Sequence, residues 1–333
     1  MEYKKPQATI IQGNVGIYPL TTADQVILAD GTRLEKDGKI NVDVANSANS
    51  AKLGGKAPEY YIQPRNLLDN SDFTNLVNQR GIKSETSVSA YSYFIDRWVN
   101  QTSEARSFTL STSGIGLPLT TTLLQKIEKI EAGKIVTFAI KLSDGTIATL
   151  TGTVQYTGDG AWMRFASITH SFGDMYMETM NGVMNVVVYN TKVITIEWAA
   201  LYEGSYTADT LPPYVPKGYG AELAECQRYF YKMMSYWKWI SAGICESSTK
   251  AYIPIVLPRE MRIVPTVSIT DPSLIKVKCG SIGLQIPSDI KWLYGILDAR
   301  IMEMEATVTG ATGGNVAFLY FDRGGEINFS SDL

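Results

Sequence analysis

Apolar and polar residues alternate along several short runs between residues 66 and 214. In KIVTFAIKL every second residue from Val136 to Leu142 is apolar, and VITIEWAAL follows the same period. A period of two is typical of strands that bury one face. TIATLTGTVQY and GVMNVVVYN read as further strands, and turn pairs such as Asp144-Gly145 separate the runs. The pattern predicts a central antiparallel β-sandwich over residues 66–214, with a jelly-roll-like arrangement.

One short helix fits inside this region. The sequence LTTTLLQKIEKIEA, residues 119–132, is followed by Gly133, which is a common residue at the C-terminal end of a helix. We therefore predict a minor helix here within an otherwise β domain.

A connector and a second helix are predicted over residues 215–240. Prolines and glycines in LPPYVPKGYG indicate a rigid turn, and AELAECQRYFYKM then predicts a helix of about three turns. Helical spacing would align Phe230, Met234 and Trp237 on one stripe. Phe230 and Trp237 are therefore predicted to be structural, packing the helix onto a C-terminal sheet or along an axis shared by several chains.

Residues 241–333 return to short apolar runs that predict a second, smaller β-sandwich. The runs are KAYIPIVL, RIVPTVSI, LIKVKCG, IKWLYGI, ARIMEMEATV and NVAFLYF. Pro254 and Pro265 lie inside two of them, which predicts edge strands or bulges at these points. The chain as a whole is predicted to be mainly β.

Residues 1–65 differ from the rest because they are polar and poor in aromatic residues. Short strand-like pieces such as QVILADG are followed by Val44, Ala48 and Ala51 at near-helical spacing. A helix with such small apolar residues could not stand alone, but it would suit close packing of several chains around an axis. A flexible linker is an equally good interpretation of this composition.

Composition excludes several classes of protein. The 333 residues carry 30 basic and 33 acidic side chains, and a net charge of −3 argues against binding to nucleic-acid phosphates. No apolar stretch approaches the ~18 residues that span a bilayer, and MEYKKPQATI lacks the apolar region of a signal peptide. We therefore expect no nucleic-acid binding, no membrane insertion and no ordinary secretory signal.

The scarce cysteine and histidine residues limit the chemistry further. Cys226, Cys245 and Cys279 are widely spaced and form no CxxC pair, so they predict reduced, partly buried thiols rather than a disulfide framework or a zinc site. The single histidine, His170, is interpreted as a polar loop residue. A histidine-rich metal centre is thereby excluded.

No motif selects a catalytic site. P-loop, GxSxG, HExxH and dinucleotide-binding patterns are missing from the sequence. Glu303 and Glu305 share a strand face, but two solvent-facing charges explain that spacing as well as a glycosidase pair does. We expect a binding protein that is not an enzyme and that needs no cofactor.

Several sequence pieces follow one another in a characteristic order. They are TTADQVILADGTRLEKDG, ANSAKLGGKAPEYY, NLLDNSDFTNLVNQRG, YFIDRW and LPPYVPKGYGAELAECQRYFYK. From about Thr21 to Tyr231 the chain resembles the tail-fibre and receptor-binding proteins of phages and prophages. The residues beyond Tyr231 match that family only in style.

The resemblance implies a homotrimeric virion protein of the phage tail, assembled in the bacterial host cytoplasm. Residues 1–65 would attach to a tail or baseplate protein, residues 66–214 would form a sandwich like a carbohydrate-binding module, and residues 241–333 would form the distal head. The partner on the cell would be a surface polysaccharide or another surface polymer. A structural tail or baseplate component without a receptor is the alternative, and a glycan depolymerase ranks third.

Sugar recognition needs exposed aromatic rings, and the C-terminal part of the chain has several. Tyr231, Tyr236 and Trp239 could be exposed on the predicted helix, while Trp292 and Tyr294 alternate on one face of DIKWLYGI. These five residues are the predicted ligand-binding set. Packing in a β core would explain the same aromatic residues.

Two motifs near the start of the central domain carry paired charges. In NLLDNSDF, Asp69 and Asp72 flank a polar corner that either satisfies local backbone groups or binds calcium. In YFIDRW, Asp96 and Arg97 can form a charge-assisted pair at a strand end, with Trp98 in the core. The predicted function of Asp96, Arg97 and Trp98 is to specify the fold.

Overall fold

The computed structural model describes residues 64–128, 130–158, 160–293 and 299–332, together with three short strands nearer the N-terminus. These strands pair in an antiparallel sheet and are β1 (Val26–Ile27), β2 (Arg33–Leu34) and β3 (Ile40–Asn41). The chain divides into two units, Met1–Gln63 and Pro64–Leu333. The segment around Val44, Ala48 and Ala51, predicted as a helix or a linker, lies outside the described residues.

The first part of the second unit is a β-sandwich, as the alternation of apolar residues predicts. Its strands are β4 (Ser87–Val88), β5 (Ser92–Ile95), β6 (Trp98–Asn100), β7 (Arg106–Ser107), β8 (Thr109–Ser111), β9 (Gly114–Leu117), β10 (Thr122–Ile127), β11 (Ile135–Leu142), β12 (Ile147–Thr153), β13 (Trp162–His170), β14 (Gly173–Met180), β15 (Val183–Asn190) and β16 (Ile194–Glu203).

Two antiparallel sheets face each other in this central sandwich. One has the strand order β13-β14-β15-β10-β6-β5 and the other the order β12-β11-β16-β9-β8, while β4 and β7 form a small separate ladder. Phe138 and Ile140 from one sheet and Met175 and Val186 from the other are fully buried between them. The core therefore follows the period-two pattern of the sequence.

The minor helix predicted over 119–132 is wrong. Residues 122–127 form β10, which is hydrogen-bonded to β15 on one side and to β6 on the other. Leu123 contributes to the sandwich core, while Leu124 is buried on the opposite face of the same sheet. A short segment has little intrinsic helix stability, so pairing on both sides and burial of both faces determine its structure.

The second predicted helix is shorter than expected, with 8 residues. Helix α1 (Tyr219–Cys226) is the only α-helix among the described residues, and it ends before the aromatic sequence RYFYK. The next residues form strand β17 (Phe230–Ser235), whose backbone pairs with a strand at residues 325–330. Aromatic residues favour strands, and this pairing prevails over the helical spacing.

The helical stripe of Phe230, Met234 and Trp237 therefore does not exist. Phe230 is buried, but Met234 is exposed and Trp237 lies after the strand with 61% of its surface exposed. The packing role predicted for Trp237 on a helix is wrong, because no helix extends to it.

The C-terminal part forms a second β-sandwich. Besides β17 it contains β18 (Lys238–Cys245), β19 (Lys250–Val256), β20 (Thr266–Ile269), a 3₁₀ turn (Pro272–Leu274), β21 (Ile275–Cys279), β22 (Asp289–Leu293), β23 (Ile301–Thr307), β24 (Val316–Phe321) and β25 (Gly325–Ser330). A three-stranded sheet, β17-β25-β20, packs on a six-stranded sheet, β21-β24-β18-β19-β23-β22. The chain is mainly β throughout the described residues, as predicted.

Pro254 and Pro265 avoid ladder positions that need a backbone N–H. Pro254 lies in β19, which is an inner strand, but β18 pairs with β19 only at Tyr252 and Ala251. Pro265 precedes β20 and lies outside any strand. Pro254 was expected in an edge strand or at a bulge. It lies in an inner strand instead, at a point beyond the end of the ladder with β18.

Side chains from the central sandwich contact the first strand of the C-terminal one and the residues just after its last strand. Gln79 Nε2 donates to the carbonyl of Phe230 at 2.8 Å, and Arg80 forms a 2.7 Å ion pair with Asp332. The Arg80 guanidinium also lies 4.0 Å above the Phe230 ring. These contacts join the two sandwiches within the Pro64–Leu333 unit.

Candidate functional site

Aromatic side chains cluster on the outer surface of the six-stranded C-terminal sheet. Trp239 lies with its ring 5.1 Å from that of Tyr320 and 5.7 Å from that of Phe318, both edge to face. Trp239 is 53% exposed, so the cluster faces solvent. We call Trp239, Phe318 and Tyr320 the aromatic face.

The strand pattern explains why these rings point outward. On β24 Leu319 and Phe321 are buried in the core, which places Phe318 and Tyr320 on the opposite side of the sheet. Trp239 pairs with Tyr320, and a bulge after Trp239 inserts one extra residue before Ser241. Ile240, the next residue, packs against the core, whereas Trp239 lies on the outer face.

Basic side chains stand beside the aromatic rings. Lys276 and Lys278 of β21 pair with Tyr320 and Phe318, and the Lys278 ammonium lies 6.0 Å from the centre of the Trp239 ring. This distance is within the range of a cation–π contact. The face therefore combines apolar rings with hydrogen-bond donors.

A second exposed tryptophan is fixed by a carboxylate at the end of β24. Trp237 Nε1 donates to Asp322 Oδ1 at 2.7 Å, and Lys276 bonds the other carboxylate oxygen at 2.6 Å. The Lys276 hydrogen bond, together with the backbone N–H of Arg323, lowers the pKa of Asp322. Asp322 thus stays ionised and holds the indole in a defined orientation.

The five predicted ligand-binding residues do not form one site. Tyr236 and Trp239 are exposed, whereas Tyr231 stacks on Phe329 in the core and Trp292 packs edge to face on the same ring. Tyr294 lies outside the described residues. Of the predicted set, only Trp239 belongs to the aromatic face.

The sequence analysis missed Phe318 and Tyr320 as partners of Trp239. In NVAFLYF they alternate with Leu319 and Phe321, so the period of two already places them on one strand face. The pairing of β18 with β24, which brings Trp239 to that face, involves strands far apart in the sequence.

The predicted ion pair between Asp96 and Arg97 is wrong, although both residues are buried as expected. Arg97 Nε donates to Asp69 Oδ2 at 3.1 Å, and Asp96 Oδ2 accepts from the backbone N–H of Gln79 at 2.6 Å. Both residues lie in the turn between β5 and β6, where Arg97 has a φ of 74°, and the turn directs the two side chains to different partners. Trp98 lies in the core, and its predicted role in specifying the fold stays a prediction.

Asp69 belongs to a cluster of three carboxylates with Glu222 and Glu225 of α1. The Lys217 ammonium lies 2.5 Å from Glu225 Oε2 and 3.3 Å from Asp69 Oδ1, so a protein cation already contacts two of the three. Burial acts to lower the pKa of Lys217, but the carboxylates, above all Asp69, raise it by more.

Asp72, the second calcium candidate, lies outside this cluster. Its Oδ1 accepts hydrogen bonds from the backbone and the hydroxyl of Thr74, which is the local Asx-type role predicted as the alternative. Calcium binding at Asp69 or Asp72 stays a prediction.

The cysteines and the histidine have structural surroundings. Cys226, Cys245 and Cys279 are free thiols and all three are buried. Burial, and then a contact with Cys245, raises the pKa of Cys279 to about 12. His170 ends strand β13 and stacks on Phe172, so its assignment to a loop is wrong.

Glu303 and Glu305 lie on one face of β23, opposite the buried Met302 and Met304. Glu305 accepts a 3.0 Å hydrogen bond from the Tyr252 hydroxyl and pairs with Lys250 at 3.3 Å. The Tyr252 hydrogen bond lowers the pKa of Glu305, so this carboxyl is poorly suited to donate a proton near neutral pH.

In the part of the chain that the structure describes, no helix is long and apolar enough to cross a membrane. Comparison of the chain with protein-family models, with curated proteins and with solved structures gave no match.

Proposed function

We propose that this chain is a non-catalytic receptor-binding protein of a phage tail fibre, which attaches the virion to a glycan on the host cell surface. The observation that supports a binding role most directly is the solvent-exposed aromatic face of Trp239, Phe318 and Tyr320 with Lys278 beside it. The resemblance of the sequence to tail fibres supports assigning that role to a virion protein.

The chemistry of the aromatic face matches that of a sugar ring. The C–H surface of a pyranose packs on an indole or phenol ring, while its hydroxyls need charged or polar groups at the edge. Lys276 and Lys278 stand at that edge on the neighbouring strand. A shallow, exposed platform of this kind binds one sugar unit weakly.

Trimerisation would compensate for weak binding at each face. Three linked copies on a dense, repetitive surface raise the effective concentration of the second and third contacts, so avidity exceeds single-site affinity. In this proposal the trimer forms through residues 1–65, which also attach to the tail or baseplate.

The test is the binding of purified protein to host cells after Trp239→Ala. We expect at least a tenfold loss of cell binding with an unchanged melting temperature, because the ring is exposed and its removal leaves the core intact. Tyr219→Ala is the matched control, since Tyr219 is an exposed aromatic residue of α1 outside the face. Equal binding of wild type and Trp239→Ala would refute the proposal.

A point variant is a better test than removal of residues 221–333. That deletion would cut α1, whose Glu222 accepts the backbone N–H of Asn70 at 2.7 Å. It would also remove Tyr229, whose ring lies 3.4 Å from the buried Arg97 guanidinium. Loss of binding after the deletion could then come from damage to the central sandwich.

A structural tail or baseplate component is the second candidate. Its support is that the exposed apolar surface of the same sheet continues beyond the aromatic face to Ile244, Val256 and Val316. A neighbouring virion protein would cover such a surface. In that case Trp239→Ala would impair virion assembly, while assembled virions would adsorb normally.

A glycan depolymerase ranks third, and incubation with host-surface polysaccharide tests it. Release of new reducing ends by the purified protein would favour an enzyme over both binding roles.

A further inference from the structure

A cavity opens on the central sandwich, on the outer surface of the six-stranded sheet. Its volume is about 280 Å³, and it lies among side chains of β10, β14 and β15, of the turn between the last two, and of the residue that follows β6. The lining residues are Gln101, Leu124, Lys126, Glu178, Met180, Asn181, Val183 and Asn185. None of them belongs to the aromatic face.

The strand register shows that three polar residues of this cavity form one row across the sheet. Asn185 of β15 pairs with Glu178 of β14 on one side and with Lys126 of β10 on the other. Their chain neighbours Met184 and Val186 are buried in the sandwich core. The row therefore points away from the core and into the cavity.

Asn185 has an unsatisfied polar atom. The residue is only 4% exposed, and its Oδ1 accepts no hydrogen bond from any described residue. Buried side-chain acceptors in folded proteins are nearly always paired. The unpaired Oδ1 of Asn185 can therefore accept a hydrogen bond from a ligand in the cavity.

A tryptophan stands beside the row. Trp162 is 56% exposed, and its Nε1 donates to Glu178 Oε2 at 2.8 Å, which fixes the indole next to the carboxylate. Arg164 lies two residues further along β13, with its guanidinium 3.7 Å from the ring centre of Tyr176. The surroundings of the cavity thus include a large exposed ring held by a hydrogen bond.

The remaining lining is apolar. Leu124 is buried on this outer face of the sheet, and Met180 and Val183 flank the Asn181-Gly182 turn. A ligand for this cavity needs both an apolar surface and several hydroxyl groups. The charges of Lys126 and Glu178 balance, which favours a neutral ligand over an anion.

We propose that this cavity is a second binding site and that it takes one neutral saccharide unit, an inference that rests on the proposed attachment to a glycan. A sugar hydroxyl donates to Asn185 Oδ1, and a second hydroxyl lies against the Glu178 carboxylate. The C–H face of the ring packs toward Leu124 and Met180, with Trp162 at the rim. The site is separate from the aromatic face on the other sandwich.

The experiment uses the full chain and four probes: D-glucose, D-galactose, D-mannose and N-acetyl-D-glucosamine. Each probe is titrated against the protein by calorimetry and soaked into crystals. The variants are Asn185→Leu, which removes the acceptor at similar size, and Trp162→Ala, which removes an exposed ring and so leaves the core intact. Trp239→Ala serves as the control for the aromatic face.

The expected result is saturable binding of at least one probe to wild type and to Trp239→Ala, with density for the sugar next to Asn185. Binding should fall at least tenfold in Asn185→Leu and in Trp162→Ala. A cavity that holds only water with all four probes overturns the inference, as does unchanged affinity in both variants. Density without saturable binding counts as binding at crystal concentration only and also overturns it.

The two proposals fail separately. If Trp239→Ala abolishes cell binding while no probe binds at Asn185, the proposed function stands and the second site does not. If a probe binds at Asn185 while Trp239→Ala adsorbs to cells like wild type, the site stands and the aromatic face has lost its proposed role.

Discussion

Arg97 pairs with Asp69, a residue 28 positions earlier in the chain, rather than with the adjacent Asp96. The guanidinium is 2% exposed, donates a second hydrogen bond to the carbonyl of Lys126 at 2.7 Å and lies 3.4 Å from the Tyr229 ring. The sequences NLLDNSDF and YFIDRW therefore meet at one end of the central sandwich, where the segment leading into β17 also packs.

Replacement of Asp69 tests how much the ion pair between Asp69 and Arg97 contributes to the stability of the fold. Asp69→Asn keeps the shape of the side chain but removes the charge that faces Arg97, so a buried cation loses its counter-ion. We expect the free energy of unfolding to fall by about 3 kcal/mol, as for other buried pairs that lose one partner. Urea unfolding at pH 7 gives the measurement.

The matched control is Glu104→Gln, which breaks the pair between Glu104 and Arg106. That pair is shorter, at 2.7 Å against 3.1 Å for Arg97 and Asp69, but the Glu104 side chain is largely exposed. Its loss should change stability by less than ~1 kcal/mol. Equal effects of the two substitutions would contradict the importance assigned to burial at Arg97.

The raised pKa of Asp96 predicts that the stability of the protein depends on pH. Burial raises the pKa of its carboxyl from 3.8 to about 6, although Arg80 and the Gln79 hydrogen bonds oppose the shift. Between these values the folded protein holds a proton that the unfolded chain releases. The free energy of unfolding should therefore fall as the pH rises from about 4 to about 6.

Asp96→Asn isolates this contribution, because the amide does not titrate. The difference in unfolding free energy between wild type and Asp96→Asn should change by about 3 kcal/mol across that interval, at about 1.36 kcal/mol per pKa unit. Urea titrations at pH 4, 5, 6 and 7 measure it. A difference that stays constant with pH would show that Asp96 is charged in the folded state throughout.

The thiols should be unreactive in the folded protein. Burial raises the pKa of Cys226 well above its usual value and that of Cys279 to about 12, and alkylation requires the thiolate. We expect no modification by iodoacetamide at pH 8 in native buffer and three modified cysteines in guanidinium chloride. Mass spectrometry of the intact chain counts them; rapid labelling of the native chain would contradict the burial of these residues.

The proposed trimer predicts a solution mass of three times 36.7 kDa for the full chain. Light scattering at two protein concentrations measures it, and the mass should not change on dilution. A protein without residues 1–65 should become monomeric if that segment holds the chains together. A monomeric full-length chain would leave a protein that assembles only on the virion, or would refute the trimer.

Strands whose large apolar residues recur with a period of two were predictable, even where both faces are buried as in β11, and a strand without that period was not. KIVTFAIKL carries the period of two and forms β11, and the apolar run NVAFLYF forms β24, both as expected. LTTTLLQKI lacks it because Leu123 and Leu124 are buried on opposite sides of one sheet. Local spacing cannot distinguish such a strand from a short helix.

The candidate sites depended on strand pairing, which the sequence does not reveal. Trp239 could be named as an exposed aromatic residue, but its contact with Tyr320 requires β18 to lie beside β24. The sequence analysis assigned no role to Asn185, because a single asparagine within a strand carries no signal of a binding site. Its importance comes from a cavity that three separate strands create together.

The order of strands in the smaller C-terminal sheet has a consequence for synthesis of the chain. Its central strand, β25, is the last of the three in sequence. Ser330 of β25 pairs with Phe230 of β17 on one side and with Thr266 of β20 on the other. Until residue 330 has left the ribosome, β17 and β20 have unpaired edges beside an open apolar core. Where several nascent chains lie close together, the β25 strand of one chain can complete the sheet of another, so crowded synthesis would favour the exchange of this strand between chains.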